Sequence, residues 1–278
     1  MLRAEASRPA GRWQGGSGVD SCSRLRQRSP TLMDPSEYAN LAALEREHWY
    51  YSGKRRFVAD WITRVRSPRP EDVLLDCGAG TGLFAGEMEK RCRVLVLDDH
   101  AEALRMLRAR FRPDQVLTLA AGRVPLPDGS VDYVTALDVL EHIGDDAAAV
   151  REFARLLRPG GVLVATVPAG MELWSDWDEA LHHQRRYSRR GLRGLFAGGS
   201  WDVVHVNYTN VVAYPAVWVV RRWRTFTRAR HRGGVRSEDR LPPRWINALL
   251  RRIFVGFASS RCPFPFGVSL LLVARRRS

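Results

Sequence analysis

The 278-residue chain holds only four cysteines, at positions 22, 77, 92 and 262, and no two form a C-x-x-C pair. That spacing excludes a disulfide framework and a cysteine metal knot, and Cys77 and Cys92 fall where the pattern reads as core. A reduced, cytoplasmic compartment is expected. No apolar run reaches the ~18 residues that a membrane-spanning helix needs. The amino-terminal arginines lead into no apolar stretch, so no secretory leader is expected. Acids are scarce at one end: residues 185–278 carry three against 20 arginines, whereas residues 34–184 carry 25 against 18 Lys and Arg. The net charge of +14 is therefore gathered in the last third. Such a tail favours acidic partners, whether phosphate-bearing substrates, anionic lipid or nucleic acid.

What is present is more specific. Val73-Leu74-Leu75 leads into Asp76-Cys77-Gly78-Ala79-Gly80-Thr81-Gly82, a buried strand opening straight into a glycine-rich turn. Only glycine turns the backbone this tightly and leaves room for a ligand at the strand's carboxyl end. The helix predicted from about Leu83 to Cys92 aims free N–H groups at the same place. The next strand, 93–97, ends in Asp98-Asp99, where nucleotide folds hold ribose hydroxyls. A dinucleotide fingerprint would need glycine at 83, which is Leu, and a P-loop would need Gly-Lys-Ser/Thr after the turn. The remaining candidate is a cofactor with ribose and adenine but no pyrophosphate.

At these residues the chain resembles the class I S-adenosylmethionine (SAM) methyltransferases, whose first motif is an acidic residue followed by G-x-G-x-G. Three further segments agree in order. Val124-Pro125-Leu126-Pro127-Asp128-Gly129-Ser130-Val131-Asp132 resembles the family's LPFPDGSFD stretch. Asp138-Val139-Leu140-Glu141-His142 resembles the VLEH signature of the ubiquinone-biosynthesis-like branch, and Arg158-Pro159-Gly160-Gly161 its L+PGG turn. The resemblance implies a seven-stranded Rossmann-like α/β sheet, mostly parallel with the last strand antiparallel and helices on both faces. It implies SAM as cofactor, with Asp76, Gly78, Gly80 and Gly82 at its methionine end, Asp98 on the ribose and Leu137 near the adenosine. One slot departs: the family's adenine-binding Asp is replaced by Ala121, followed by Gly122. One missing hydrogen bond implies a grip weaker by about 1–2 kcal/mol.

The flanks agree more loosely. Glu47 to Arg56 resembles an amino-terminal lid, implying roles for Arg55 at the cofactor and Tyr51 at the substrate. Ser175 to Ser188 resembles an SxxDxxxxHxRRYS segment, implying Asp178, Arg185, Arg186 and Tyr187 as substrate residues. Packing aromatics onto the core, and a solvated charged face, are the competing readings for these two stretches.

Four regions follow: a disordered tail over 1–33, with Met33 an alternative start; a helical lid over 34–70; a SAM-binding core over 71–168; and substrate loop, last strands and basic insertion over 169–278. Helices are expected at 37–51, 55–65, 82–92, 100–111, 145–157 and 189–196. Strands are expected at 72–76, 93–97, 115–119, 131–137, 161–167, 201–206 and 268–274. Pro243 to Phe257 alternates apolar residues with arginines, a basic amphipathic helix suited to the inner face of a membrane.

A sulfonium methyl is already activated, so neither a covalent nucleophile nor a metal is expected; the protein must align the acceptor and exclude water. For a hydroxyl acceptor the candidate proton acceptors are His182, His183 and His142. Arg185 and Arg186 could clamp an acceptor phosphate or carboxylate. The leading expectation is methyl transfer to oxygen on a small-molecule or lipid- or carrier-linked acceptor. A nucleic-acid methyltransferase or RNA-binding protein is the rival. Against it, the fourth strand ends in Leu137-Asp138-Val139 instead of Asn/Asp-Pro-Pro-aromatic, and no RNA-binding motif is visible. A non-catalytic subunit of the same fold is a third reading, disfavoured by the intact glycines and Asp98.

Overall fold

The computed structural model of the protein describes residues 44–227 and 241–278. The expected tail over 1–33, the start of the first expected helix and residues 228–240 of the insertion lie outside them. Seven strands form one sheet in the order β3-β2-β1-β4-β5-β7-β6: β1 (Val73–Cys77), β2 (Arg93–Leu97), β3 (Val116–Leu117), β4 (Val131–Leu137), β5 (Leu157–Pro168), β6 (Trp201–Thr209) and β7 (Ser269–Arg276). β1 to β5 pair in parallel, and β7 runs antiparallel to both β5 and β6. Leu74, Leu75, Val94, Val96, Val134, Val162 and Val164 are buried on both faces of the sheet, as near-continuous apolar strands require. The strand order reverses between β1 and β4, which opens a crevice at their carboxyl ends.

Helices cover each face. On one side α1 (Trp49–Val65), α2 (Leu83–Met88), α3 (Ala101–Arg110) and α8 (Arg244–Ala258) bury Phe57, Trp61, Ile62, Met88, Leu107 and Phe254. On the other, α4 (Asp146–Leu156) and α6 (Arg189–Leu195) contribute Val150, Phe153, Leu156 and Leu192. Asp145 and Ser188 cap α4 and α6 by accepting the backbone N–H of Ala148 at 2.7 Å and Gly191 at 3.0 Å. The short α5 (Asp176–Ala180) and the helix α7 (Tyr214–Thr227) follow β5 and β6 respectively.

Several expected boundaries are corrected. The helix break expected between Tyr51 and Arg55 falls instead at His48, whose ring caps α1 by accepting the Tyr50 N–H at 3.4 Å. Tyr51 and Arg55 thus share one helix, because the apolar spacing Phe57, Val58, Trp61, Ile62 continues the aromatic run without a breaker. α2 stops at Met88, β3 shrinks to two residues, and β6 runs on to Thr209.

The expected basic amphipathic helix forms as α8, and its apolar face packs on the body of the protein. Phe254 and Ala258 are buried against α1, and the Phe254 ring lies 5.4–5.5 Å from the rings of Trp49, Tyr50 and Phe57. The helices approach so closely that a Cβ on Gly53 would meet Phe254 Cδ1 at 2.7 Å. Asn247 fastens the start of α1, accepting the Trp49 N–H at 2.8 Å and donating to the Glu47 carbonyl at 2.7 Å. Phe254→Ala is expected to destabilise the protein by about 3–5 kcal/mol, the usual cost of emptying a buried phenylalanine site. Urea unfolding with an unchanged m-value would check it.

Candidate active site

The turn after β1 is built from three left-handed residues, Gly78 (φ 66°), Gly80 (φ 56°) and Gly82 (φ 70°). A Cβ at Gly78 would stand 2.5 Å from Val139 Cγ2, and one at Gly82 would stand 2.6 Å from Phe111. At Gly80 the same position meets nothing within 4 Å, so this glycine faces open space. The turn is fixed from β2, because the N–H groups of Gly78 and Ala79 both donate to the Leu97 carbonyl, at 2.8 and 3.1 Å. The Asp98 carboxylate accepts the Gly80 N–H at one oxygen and the His100 N–H at the other, each at 2.9 Å. A backbone turn and a half-buried carboxylate are thereby locked together beside an open cradle.

Three acids crowd this cradle. Asp76 is buried and accepts the Thr135 hydroxyl at 2.6 Å. Burial pushes its carboxyl up to about 7; Thr135 opposes the shift, while Glu45 and Asp98 add to it. Burial also raises Glu45, which hydrogen-bonds the Thr81 hydroxyl, and raises Asp98 against its two backbone donors. Where the family's adenine-binding Asp is missing, Ala120 and Arg123 close a tight turn whose central residues, Ala121 (φ 50°) and Gly122 (φ 77°), are both left-handed.

The far wall follows β4. Asp138 (φ 57°) accepts the Thr166 hydroxyl at 2.8 Å and forms an ion pair with Lys54, one of only two lysines in the chain. The Lys54 ammonium also stands 4.6 Å from the centre of the Tyr50 ring. Burial works against the Lys54 charge, but Asp138 outweighs it and raises its pKa; burial likewise opposes the Asp138 charge, and Lys54 lowers its pKa. Three residues on, Glu141 is fully buried with neither carboxylate oxygen hydrogen-bonded. Burial, with Asp138 adding, drives its pKa well above the carboxylate range.

Next to it stand His142 and His183, with ring centres 4.9 Å apart and planes at 80°. Partial desolvation of its ring lowers the His142 pKa although the residue is exposed, and His183 lowers it further. The Nδ1 of His183 lies 2.9 Å from Asp178, which is itself fully buried. Asp178 also takes Arg186 Nε at 2.7 Å and the Ser175 N–H at 3.0 Å. Burial would raise its carboxyl, but His183, Arg186 and Arg221 hold it down to about 2.

The expected site residues divide into two sets. Asp76, Gly78, Gly80, Gly82, Asp98 and Leu137 converge on the crevice at the ends of β1, β2 and β4. Of the three histidines, His142 and His183 meet, while His182 is exposed in a left-handed conformation (φ 56°). Arg55 is buried and bonds Glu87 at 2.9 Å and the Glu45 carbonyl at 2.5 Å. Tyr51 packs on the rings of His48 and Tyr50. Arg185 holds Asp146 at 2.8 Å and the Gly144 carbonyl at 2.7 Å, and Tyr187 donates to Asp146 at 2.8 Å. Asp178, Arg186 and Tyr187 are thus internal struts of the loop that carries His183. Sequence reasoning missed Lys54, Asp138, Glu141 and Glu45. Two of these sit inside the D-V-L-E-H segment already singled out, and Lys54 adjoins Arg55.

Fold and cradle together define a Rossmann-like methyltransferase domain. Comparison with known proteins agrees. Residues 75–165 match the family described as "Methyltransferase domain". The malonyl-[acyl-carrier protein] O-methyltransferase of Serratia marcescens is 34% identical over 45% of this chain and 51% of that protein. A ubiquinone biosynthesis O-methyltransferase of Albidiferax ferrireducens is 30% identical over 46% of this chain and 56% of that protein. The match thus spans about half the length of these relatives. Among solved structures, the geranyl diphosphate C-methyltransferase of Streptomyces coelicolor aligns with a TM-score of 0.52 at 16% identity, covering 79% of this chain and 76% of that one. The [4+2]-cyclase SpnF aligns with the same score at 17% identity, over 87% and 94%. These two show the fold alone. Residues 75–165 thus match a methyltransferase domain, and proteins described as probable SAM-dependent methyltransferases are among its relatives.

The residues present fit that cofactor: Gly80 faces open space, Asp98 is bonded to its N–H, and Asp76 is a buried carboxylate on the strand that leads into the same turn. SAM brings an α-ammonium and a sulfonium, and these cations favour ionised Asp76. Its affinity is therefore expected to rise as pH increases through about 7, where Asp76 loses its proton, with Asp98 and Glu45 titrating in the same sense. Calorimetry against pH would check this, and Asp76→Asn should bind more weakly with a flatter profile.

Proposed function

We propose that the protein transfers the methyl group of SAM to a hydroxyl oxygen of a small-molecule or lipid- or carrier-linked acceptor. The observation carrying this reading is the wedge of Val139 against Gly78, which sets the cofactor cradle directly beside the wall bearing His142 and His183. When bound, SAM supplies a methyl already activated by its positive sulfur. The chain's own task is then to align, desolvate and position. Asp76 and the glycine turn hold the methionine end, and Asp98 takes the ribose hydroxyls. Asp178 fixes the His183 ring through Nδ1, which leaves Nε2 unengaged by Asp178, and the ring lies beside that of His142. The Lys54–Asp138 pair joins α1 to the segment just after β4 that carries His142.

Oxygen is favoured because the two curated relatives described above are named as O-methyltransferases. Calorimetry should find one SAM per chain, with Asp98→Ala at least tenfold weaker. Label from methyl-tritiated SAM should pass to phenolic or acyl-carrier acceptors, and His183→Ala should slow it by about a hundredfold or more. A folded chain that ignores SAM overturns the reading.

A lipid-linked acceptor is supported by the surface of α7 and α8. Trp218, Val219, Val220, Trp245 and Leu249 are exposed there, and Arg244, Arg251 and Arg252 stand exposed beside them. Exposed tryptophans flanked by arginines suit an anionic interface. Among the described residues no helix is long and apolar enough to cross a membrane, so the proposed contact is peripheral. Flotation with anionic vesicles should show binding that falls with salt and weakens in Trp245→Ala; equal recovery without vesicles would remove the membrane contact.

A further inference from the structure

We propose that Glu141, His142 and His183 form a divalent-cation site on the acceptor side of the crevice. The proposal rests on the methyl-transfer reading and deepens it, naming what those histidines hold. One ligand atom from each of the three residues lies within 4.8 Å of the others, close enough to converge on a single ion. Two imidazoles and one carboxylate are the donor set of open three-ligand metal sites, and the two nitrogens favour a first-row transition ion over Mg²⁺ or Ca²⁺.

Glu141 supplies an independent reason. Its carboxylate is fully buried, and neither oxygen has a hydrogen-bond partner among the described residues. A buried carboxylate without donors is costly, and the cations nearby are already engaged: Lys54 by Asp138 and Arg186 by Asp178. A bound cation removes that cost.

The surroundings are those of a supported ligand shell. Asp178 accepts from His183 Nδ1, fixing the ring so that Nε2 is the free donor atom, the carboxylate–histidine–metal arrangement. Asp178 is held in turn by Arg186 and the Ser175 N–H. Two hydrogen bonds clamp the ligand-bearing loops together: Gln184 donates its N–H to the Glu141 carbonyl and its side-chain amide to the His142 carbonyl, both at 2.8 Å. Glu141 is buried while His142 is exposed, so the site is reachable from the His142 side. Three protein ligands leave coordination positions on that side for an acceptor oxygen. His182, adjacent in sequence, is exposed and is not one of the three converging residues.

The test uses the full, tag-free chain stripped with chelator and titrated with Co²⁺, followed by visible absorption. One Co²⁺ per chain is expected. Glu141→Gln should bind at least tenfold more weakly, and Asp178→Asn, which touches no metal, should also lose about 10–100-fold. His182→Ala should bind as the parent does, and circular dichroism verifies that each variant is folded. Wild-type affinity in both Glu141→Gln and His142→Ala overturns the site. So does a chain that binds SAM by calorimetry but no Co²⁺, which leaves methyl transfer standing. Binding of Co²⁺ with the stated variant pattern supports the site, and a failure to bind SAM would count only against the transferase reading.

Discussion

Val139 occupies the space where any side chain at residue 78 would have to stand. This contact couples the two turns that leave the adjacent strands β1 and β4, and everything functional hangs from them. The β1 turn presents Gly80 to open space and is pinned to Asp98 at the end of β2. The β4 turn carries Asp138, Glu141 and His142 and is pinned to the loop of His183 through Gln184. A left-handed backbone at residue 78, with Val139 where a Cβ would stand, leaves that position open only to glycine. The parallel pairing of β1 with β4 fixes their relative height, so the spacing between the glycine turn and the segment of Asp138 to His142 is a property of the sheet register.

The charges within this frame are arranged against their own solvation. Asp76, Glu45, Asp98 and Glu141 all have their pKa raised by burial, whereas Asp138 and Asp178 are held low by cations that outweigh burial. The difference lies in the partners. Lys54 was built in for Asp138, and Arg186 with His183 for Asp178; the other four face the crevice without a cation of comparable closeness. Groups left in this condition store unfavourable free energy that a positively charged ligand relieves. The acidic body of the chain and the basic last third therefore serve different ends. A few of the acids are desolvated in the site, and among the described residues most arginines of the last third are exposed.

Much of this was legible in the sequence because backbone demands leave residue signatures. Three glycines at alternating positions, an acid ending the next strand and the apolar runs between them specify the cradle, and the structure places them together. The break in the first helix was misread because His48 caps through a ring nitrogen, a signal weaker than Ser or Asp would give. The roles of Asp178, Arg186 and Tyr187 could not be read either. A motif shows that charged residues recur, but whether they face a ligand or brace a loop depends on burial, and these are almost wholly buried. Lys54 and Glu141 escaped notice for the same reason. Each is an ordinary surface residue type, and only the tertiary packing of α1 on the sheet and of the 180s loop on β4 puts them inside.

The insertion before β7 shows how far the site extends beyond its motifs. Phe254 of α8 stacks on Tyr50 at 5.5 Å, and the Tyr50 ring lies against the Lys54 ammonium, which pairs with Asp138 at the end of β4. Gly53, one residue before Lys54, is glycine because Phe254 fills the place of a side chain. The face of α1 that α8 covers and the face that meets the crevice thus lie within a single helical turn. Removing α8 would expose Phe57 and Tyr50 to water and loosen the backbone that aims Lys54, at a site where an unpaired Asp138 would be left buried beside Glu141. The basic, tryptophan-bearing segment is for this reason part of the acceptor wall's support. Anything that presses on its outer face, where Trp245 and Leu249 are exposed, bears on the inner face through Phe254.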